Sequence, residues 1–193
     1  LLRPISMSNT DCRLVASVLR DLITPPVMNL IDPAQKGFRP GTPIEDSVDY
    51  FNEHFYSAVE ERRPYYLLLH DYEKAYDSVS RSFLHAVMAR IGMPAWVTNL
   101  LEGLFRKIVA SPILQGSHKT SIKMPNGLKQ GCPLSPLLFN LVLDPLISRL
   151  SSLPIHLRAY ADDIALGAHK ISHFEPALTV IDAFTSGSVS SPP

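Results

Sequence analysis

Residues 158–166 read RAYADDIAL, with two adjacent carboxylates, Asp162 and Asp163, inside an otherwise apolar run. Like charges repel, and burying one without a partner is costly. The chain must therefore fold so that solvent or a cation reaches both. The flanking stretches, IHLRAY and IALGA, are short and strand-like. A β-hairpin carrying the carboxylates at its tip fits both constraints.

The rest of the chain reads as a mixture of helices and strands. In SNTDCRLVASVLRDL, Leu14, Val15, Val18, Leu19 and Leu22 recur at helical spacing, and a Pro-Pro break is expected at 25–26. Thr42, Pro43 and Glu45 read as a capping box opening a second helix, with Ile44, Val48, Phe51, Phe55 and Val59 as its stripe. YYLLLH (65–70) reads as a buried strand. SRSFLHAVMARIGMP turns Phe83, Leu84, Val87, Met88 and Ile91 inward and stops at Gly92 and Pro94. AWVTNLLEGLF reads as another helix, with Trp96 in the core, and IVASPIL and TSIKMPNGLKQG read as strands around a turn. Ser135 as cap and Pro136 in the first turn start a long helix, where Pro145 predicts a kink or an early end. TSGSVSSPP at the end predicts disorder. Without a regular βαβ repeat, this order predicts an α+β fold.

Composition narrows the function classes. The chain has 193 residues, 46% of them hydrophobic, enough for one or two small domains. Eighteen Lys and Arg balance eighteen Asp and Glu, so a basic surface for nucleic acid has to be local. Cys12 and Cys132 have no ligand or redox spacing and read as free thiols. No apolar run is long enough to span a membrane, no leader opens the chain, and an intracellular location is expected, nucleus or cytoplasm.

A third acid, Asp71, ends the strand-like run 65–70. If that strand neighbours the hairpin, Asp71 and Asp162 converge at one sheet edge. Clustered carboxylates suit a hard divalent cation such as Mg²⁺, and two such ions can clamp a phosphoryl transfer. The acids alone leave a second reading open, a solvated turn, because Asp favours turns.

Three further stretches favour the first reading. HDYEKAYD (70–77), GLKQGCPLSPLLFN (127–140) and YADD (160–163) occur in this order and resemble motifs A, B and C of reverse transcriptases. LRPIS (2–6) and QKGFRPGTPIED (35–46) resemble the two finger motifs that precede them. GMPAW (92–96) is similar to the non-LTR, LINE-type branch. The resemblance covers residue 1 to about residue 167.

The resemblance implies right-hand polymerase fingers and palm, with an antiparallel, ferredoxin-like palm sheet packed on helices. Residues 1–64 would be partial fingers and 65–170 the palm, with a finger-like insertion near 105–126. Residues 171–193 would hold a truncated motif D region and the tail. Asp71, Asp162, Asp163 and the backbone carbonyl of Tyr72 match the ligands of two Mg²⁺ ions, with Mn²⁺ as a substitute. Tyr160 belongs near the primer end. Tyr76 matches the bulky residue that excludes a ribose 2′-OH; its alternative role is a core aromatic. Backbone N–H groups of Glu73, Lys74, Ala75 and Tyr76 are expected to face the triphosphate, as anion nests do. Arg3 matches a phosphate-gripping finger arginine, and Gln130 and Gly131 match the turn that contacts the nascent base pair. Lys36 and Arg39 are candidates for the template backbone or plain surface charges.

Two departures stand out. The finger motif begins at residue 2, and no lysine follows Lys170 to act as the motif D lysine. Thumb, endonuclease and ribonuclease H segments are not recognised, so a truncated element is expected. The implied function is an RNA-directed DNA polymerase domain of a retrotransposon. Its partners would be an RNA template, a DNA primer, dNTPs and the rest of the polyprotein, without a membrane. The alternatives are a non-catalytic remnant that binds nucleic acid and an RNA-dependent RNA polymerase, which typically carries GDD instead.

Overall fold

The computed structural model describes residues 6–72, 75–106, 109–111, 113–114, 117–118, 120–123 and 126–188. Two helices come first, α1 (Thr10–Met28) and α2 (Glu45–Glu60), followed by strand β1 (Tyr66–His70). Three helices follow: α3 (Ala75–Ser78), α4 (Arg81–Arg90) and α5 (Ala95–Phe105). Four two-residue strands come next: β2 (Val109–Ala110), β3 (Ile113–Leu114), β4 (Ser117–His118) and β5 (Ile122–Lys123). The long helix α6 (Ser135–Ser151) leads into β6 (His156–Tyr160), β7 (Asp163–Ala168) and the last helix, α7 (Phe174–Ser188). β1, β7 and β6 form one antiparallel sheet in that spatial order, while β2 pairs with β5 and β3 with β4. The α+β expectation holds, and the hairpin is there.

α6 is the centre of the core. Leu138, Leu141, Leu146, Ile147 and Leu150 are each at most 1% exposed, and every residue from Leu137 to Leu143 is buried, as in a helix segment enclosed on every side. One face of the sheet packs towards it through Leu157, Ala159, Ile164 and Leu166. Pro145 does not end α6, which runs on to Ser151. An interior proline costs ~3 kcal/mol, whereas burying a leucine or isoleucine gains about 1.5–3 kcal/mol. Leu146, Ile147 and Leu150 lie just beyond Pro145, so packing outweighs the lost hydrogen bond. α1 likewise continues through Pro25 and Pro26 to Met28, held by buried Ile23 and Val27 on either side.

Several expected faces are corrected. α1 buries Ala16, Leu19, Ile23 and Val27, while Leu14, Val15, Val18 and Leu22 are exposed. The helix carries two apolar stripes, and only one meets the core. α2 buries only Ser47 and Ala58, leaving Ile44, Val48, Phe55 and Val59 exposed. It starts at Glu45 without a side-chain cap, because Thr42 Oγ1 donates instead to the carbonyls of Lys36 and Arg39. Trp96 is 50% exposed, since α5 buries Val97, Leu101 and Phe105 and Trp96 sits about 100° round from that face. Strand β1 is only half covered, with Leu67 and Leu69 exposed. Ser135 is not a cap: its hydroxyl is buried inside α6 without a partner among the described residues. Residues 185–188, expected to be disordered, are helical, and Thr185 and Ser186 return their hydroxyls to the carbonyls of Ile181 and Asp182. Cys12 and Cys132 are free, as expected. Among the described residues no helix is long and apolar enough to cross a membrane.

Part of the sheet's second face meets α2 through an aromatic cluster. The His156 ring stacks on His54 at 3.6 Å, Tyr65 Oη lies 2.9 Å from His156 Nδ1, and His169 lies edge-on at 5.9 Å. The Arg158 guanidinium sits 3.4 Å from the centroid of the Tyr50 ring. Burial, then the neighbouring His54 and His169, pull His156 down from 6.5 to about 4. Burial, then Tyr50, push Tyr65 up to about 12. His156 is therefore neutral when folded and takes up a proton more readily when unfolded. Its contribution is fully present above pH 6.5 and is lost as pH falls from 6.5 through about 4. Thermal melts across that window should show a smaller fall in Tm for His156→Gln than for the unmodified chain. Parallel curves would assign the acid sensitivity to other groups.

Candidate active site

The site is built by strand register. β1 and β7 pair antiparallel with Leu69 opposite Ala165 and His70 opposite Ile164. One step further along, Asp71 comes level with Asp163. In the hairpin, Tyr160 pairs with Asp163, leaving Ala161 and Asp162 as a two-residue turn. Side chains alternate along a strand, so Asp71, Tyr160 and Asp163 fall on the sheet face that also carries Leu67 and Leu69. All three line one cleft of ≈ 440 Å³, with Ile44, Val48 and Leu69. Asp71 also borders a second cavity of ≈ 310 Å³ on the other face, with Tyr72, Phe139 and Asp182.

Asp162 faces a different neighbour. The Tyr76 ring stacks on Phe139 at 4.8 Å and 13°, and burial, then the negative charge of Asp162, raise its phenol well above the usual range. That stacking sets the Tyr76 ring against α6. Tyr76 is also tied to the motif-B stretch: Leu128 N–H donates to its carbonyl at 2.8 Å, and Gly127 N–H donates to Val79 O at 2.9 Å. Arg81 locks the same turn, donating to the carbonyls of Gly127, Asn126 and Phe105. Gly131 adopts φ 101°, a backbone that favours glycine, and the carbonyl of half-buried Gln130 accepts from Ser6 N–H at 2.8 Å.

Other expected residues fare differently. The Arg39 guanidinium donates to the carbonyls of Met28 and Ile31, closing the end of α1, and so has a structural task the sequence did not suggest. The Lys36 backbone N–H bonds Ala159 O at 2.7 Å. The Tyr72 side chain is half-buried, and its phenol is raised chiefly by burial. Arg3, Glu73 and Lys74 lie outside the described residues. The sequence reading missed Gln35, which is 1% exposed and bonded to the hairpin tip. A glutamine in a loop carries no periodic signal, so only tertiary contact reveals it.

The donor chemistry suits a hard divalent ion, three carboxylates and a main-chain carbonyl at one sheet end. Among the described residues, no ion pair neutralises Asp71 or Asp162. Nor, among them, are three or more His, Cys, Asp or Glu side chains gathered closely enough to hold a metal. The acids thus share one end of the sheet without forming a closed ligand sphere.

A family profile described as "Reverse transcriptase (RNA-dependent DNA polymerase)" matches residues 1–188. The chain belongs to the reverse transcriptase family. The antiparallel sheet β1-β7-β6, packed on helices, is accordingly the palm sheet of a right-hand polymerase fold. Among similar proteins, a Pol polyprotein from a type-1 R2 retrotransposable element of Popillia japonica is 32% identical, over 85% of this chain and 24% of its own length. The corresponding polyprotein of the R2DM element of Drosophila melanogaster is 28% identical, over 86% of this chain and 16% of its own. These R2 relatives bear out the non-LTR branch read from GMPAW. The chain spans a quarter or less of their length. Telomerase from Candida albicans, solved with a telomeric RNA fragment, superposes with TM-score 0.48 at 15% identity, over 92% of this chain and 31% of that one.

The packing of residues 127–128 on the 76–79 turn depends on Gly127. It has φ +84°, and a Cβ there would stand 2.8 Å from Asp77 O. Gly127→Ala should lower unfolding stability by about 1–3 kcal/mol, the scale of a strained backbone position. Urea titration measures it, and an unchanged midpoint would contradict the packing described.

Proposed function

We propose that this chain is the fingers-and-palm part of an RNA-directed DNA polymerase from a non-LTR retrotransposon, joining dNTPs to a primer 3′-OH on an RNA template. The observation that carries the reading is the convergence of Asp71 and Asp163 through strand register, with Asp162 on the adjoining turn. In the reaction the primer 3′-oxygen bonds to the α-phosphorus, the bond to the β-phosphate bridge breaks, and pyrophosphate leaves. Much of the catalysis lies in positioning these groups.

Asp71, Asp162, Asp163 and the Tyr72 carbonyl would hold Mg²⁺, or Mn²⁺ in its place. When bound, the ions supply Lewis-acid activation and charge neutralisation. The Tyr76 ring, stacked on Phe139, would exclude a ribose 2′-OH. Gln130 and Gly131 face the nascent base pair, and Tyr160 lies beside the primer end. The RNA template, DNA primer and remaining polyprotein are the expected partners. One observation favours a second reading, a non-catalytic remnant that binds nucleic acid: no closed acidic ligand group is formed among the described residues.

Primer extension on poly(rA)/oligo(dT) with Mg²⁺ separates the two, assayed on the chain alone and fused to the remaining length of an R2-type polyprotein. Asp162→Asn should lower extension about 10²–10³-fold, the scale of losing one electrostatic group from a preorganised site. Tyr76→Val should raise ribonucleotide incorporation relative to dNTP at least about tenfold. RNA–primer binding without extension in either form would support the remnant. Extension indifferent to Asp162→Asn would sink the assignment of the acids.

A further inference from the structure

We infer that Gln35 is the positioning residue of the acidic hairpin tip: its buried carboxamide holds Ala161 in a left-handed turn and so aims the Asp162 carboxylate. Ala161 has φ 57°, a conformation costly for any residue with a Cβ. Such a backbone persists only where the surroundings over-determine it. Here they do. Gln35 Nε2 donates to Ala161 O at 3.2 Å, and Gln35 Oε1 accepts from Ala161 N–H at 3.1 Å. One side chain thereby satisfies both main-chain polar groups of the strained residue. A carboxamide can do this because it donates and accepts from one planar end. Glutamate offers no donor, and leucine or methionine offers neither strong partner.

The clamp is itself held from three sides. Gly37 N–H donates to Gln35 Oε1 at 2.9 Å, closing the loop on its own side chain. A Cβ on Gly37 would lie 2.1 Å from Ala161 N, so a bare backbone is needed there for the loop to reach the tip. Asn140, fully buried in α6, donates to Gly37 O at 2.7 Å. On the strand side, Ala159 N–H donates to Ala34 O at 2.9 Å and Lys36 N–H donates to Ala159 O at 2.7 Å. The loop is therefore an extra edge partner of β6, and its buried Gln35 side chain ends on the turn between Tyr160 and Asp163. Asp162 follows Ala161 directly, so the torsions of Ala161 set where its carboxylate points.

The consequence for catalysis rests on the polymerase reading; the clamp does not. Two measurements on Gln35→Met keep them apart. The first is amide hydrogen exchange. Ala161 N–H should exchange slowly in the unmodified chain although it sits in a turn, and lose that protection in the variant while Leu157 and Leu166 keep theirs. Fast exchange of Ala161 before any substitution would overturn the clamp and needs no variant to fold. The second is the Mg²⁺ dependence of primer extension. Groups that orient metal-binding residues typically carry about 10–100-fold in metal affinity or activity. The Mg²⁺ concentration for half-maximal extension should therefore rise at least about tenfold, with KM for dNTP little changed. A smaller folded fraction would lower the amplitude without moving that midpoint. An unmoved midpoint would overturn the positioning role, and Gly37→Ala, which pushes on the same turn, should reproduce the shift. If the unmodified protein extends no primer either alone or fused, the polymerase reading fails, and Ala161 exchange still decides the clamp.

Discussion

The pairing of β1 with β7 governs everything at the acidic end of the sheet. Five residue pairs, from Tyr66 with Ala168 to His70 with Ile164, fix one register. Side chains on a strand alternate with a period of two, so a slip of one residue would turn every side chain to the opposite face. It would take Ile164 and Leu166, now at most 1% exposed, out of the core. It would also bring Asp163 into an apolar layer. Exposing two such aliphatic chains costs about 1.5–3 kcal/mol each, and burying an unpaired carboxylate costs more. The contact between the sheet and α6 thus decides where Asp71 and Asp163 stand.

Hydrogen bonds between segments distant in sequence finish the arrangement. The turn after β1 is tied to the glycine-rich stretch before α6 through Tyr76 O and Val79 O. Arg81 spans that stretch and the end of α5. The loop around Gln35 joins β6 as a partner and touches α6 through Asn140. Finger and palm motifs therefore meet by main-chain contact at the hairpin, and the acids are positioned by elements drawn from most of the chain.

The parts legible in the sequence are those with a short physical period or a local stop signal. The hairpin, the strand ending at Asp71 and the helix stopped by Gly92 follow from alternation, run length and a glycine with φ 71°. Motif order then led to the family. Burial choices were not legible. α1 offers two apolar stripes, and composition cannot say which one meets the core; Leu14 and Leu22 are in the exposed one. Prolines at 25, 26 and 145 look like breaks until the burial around them is counted. Thr42 has the chemistry of a cap but finds better acceptors in its own loop. Gln35 and Arg39 are polar loop residues whose tasks exist only in three dimensions.

The central proposal is that the strand register, which brings Asp71 to the hairpin carrying Asp162 and Asp163, makes that end of the sheet a site for divalent metal. Paramagnetic broadening of backbone amide resonances by Mn²⁺ tests it most directly. Broadening concentrated on Asp71, Tyr72 and the residues from Ala161 to Ile164, and abolished by Asp162→Asn, is the predicted result. Broadening that spares one of these two segments, or that persists unchanged in Asp162→Asn, would contradict it.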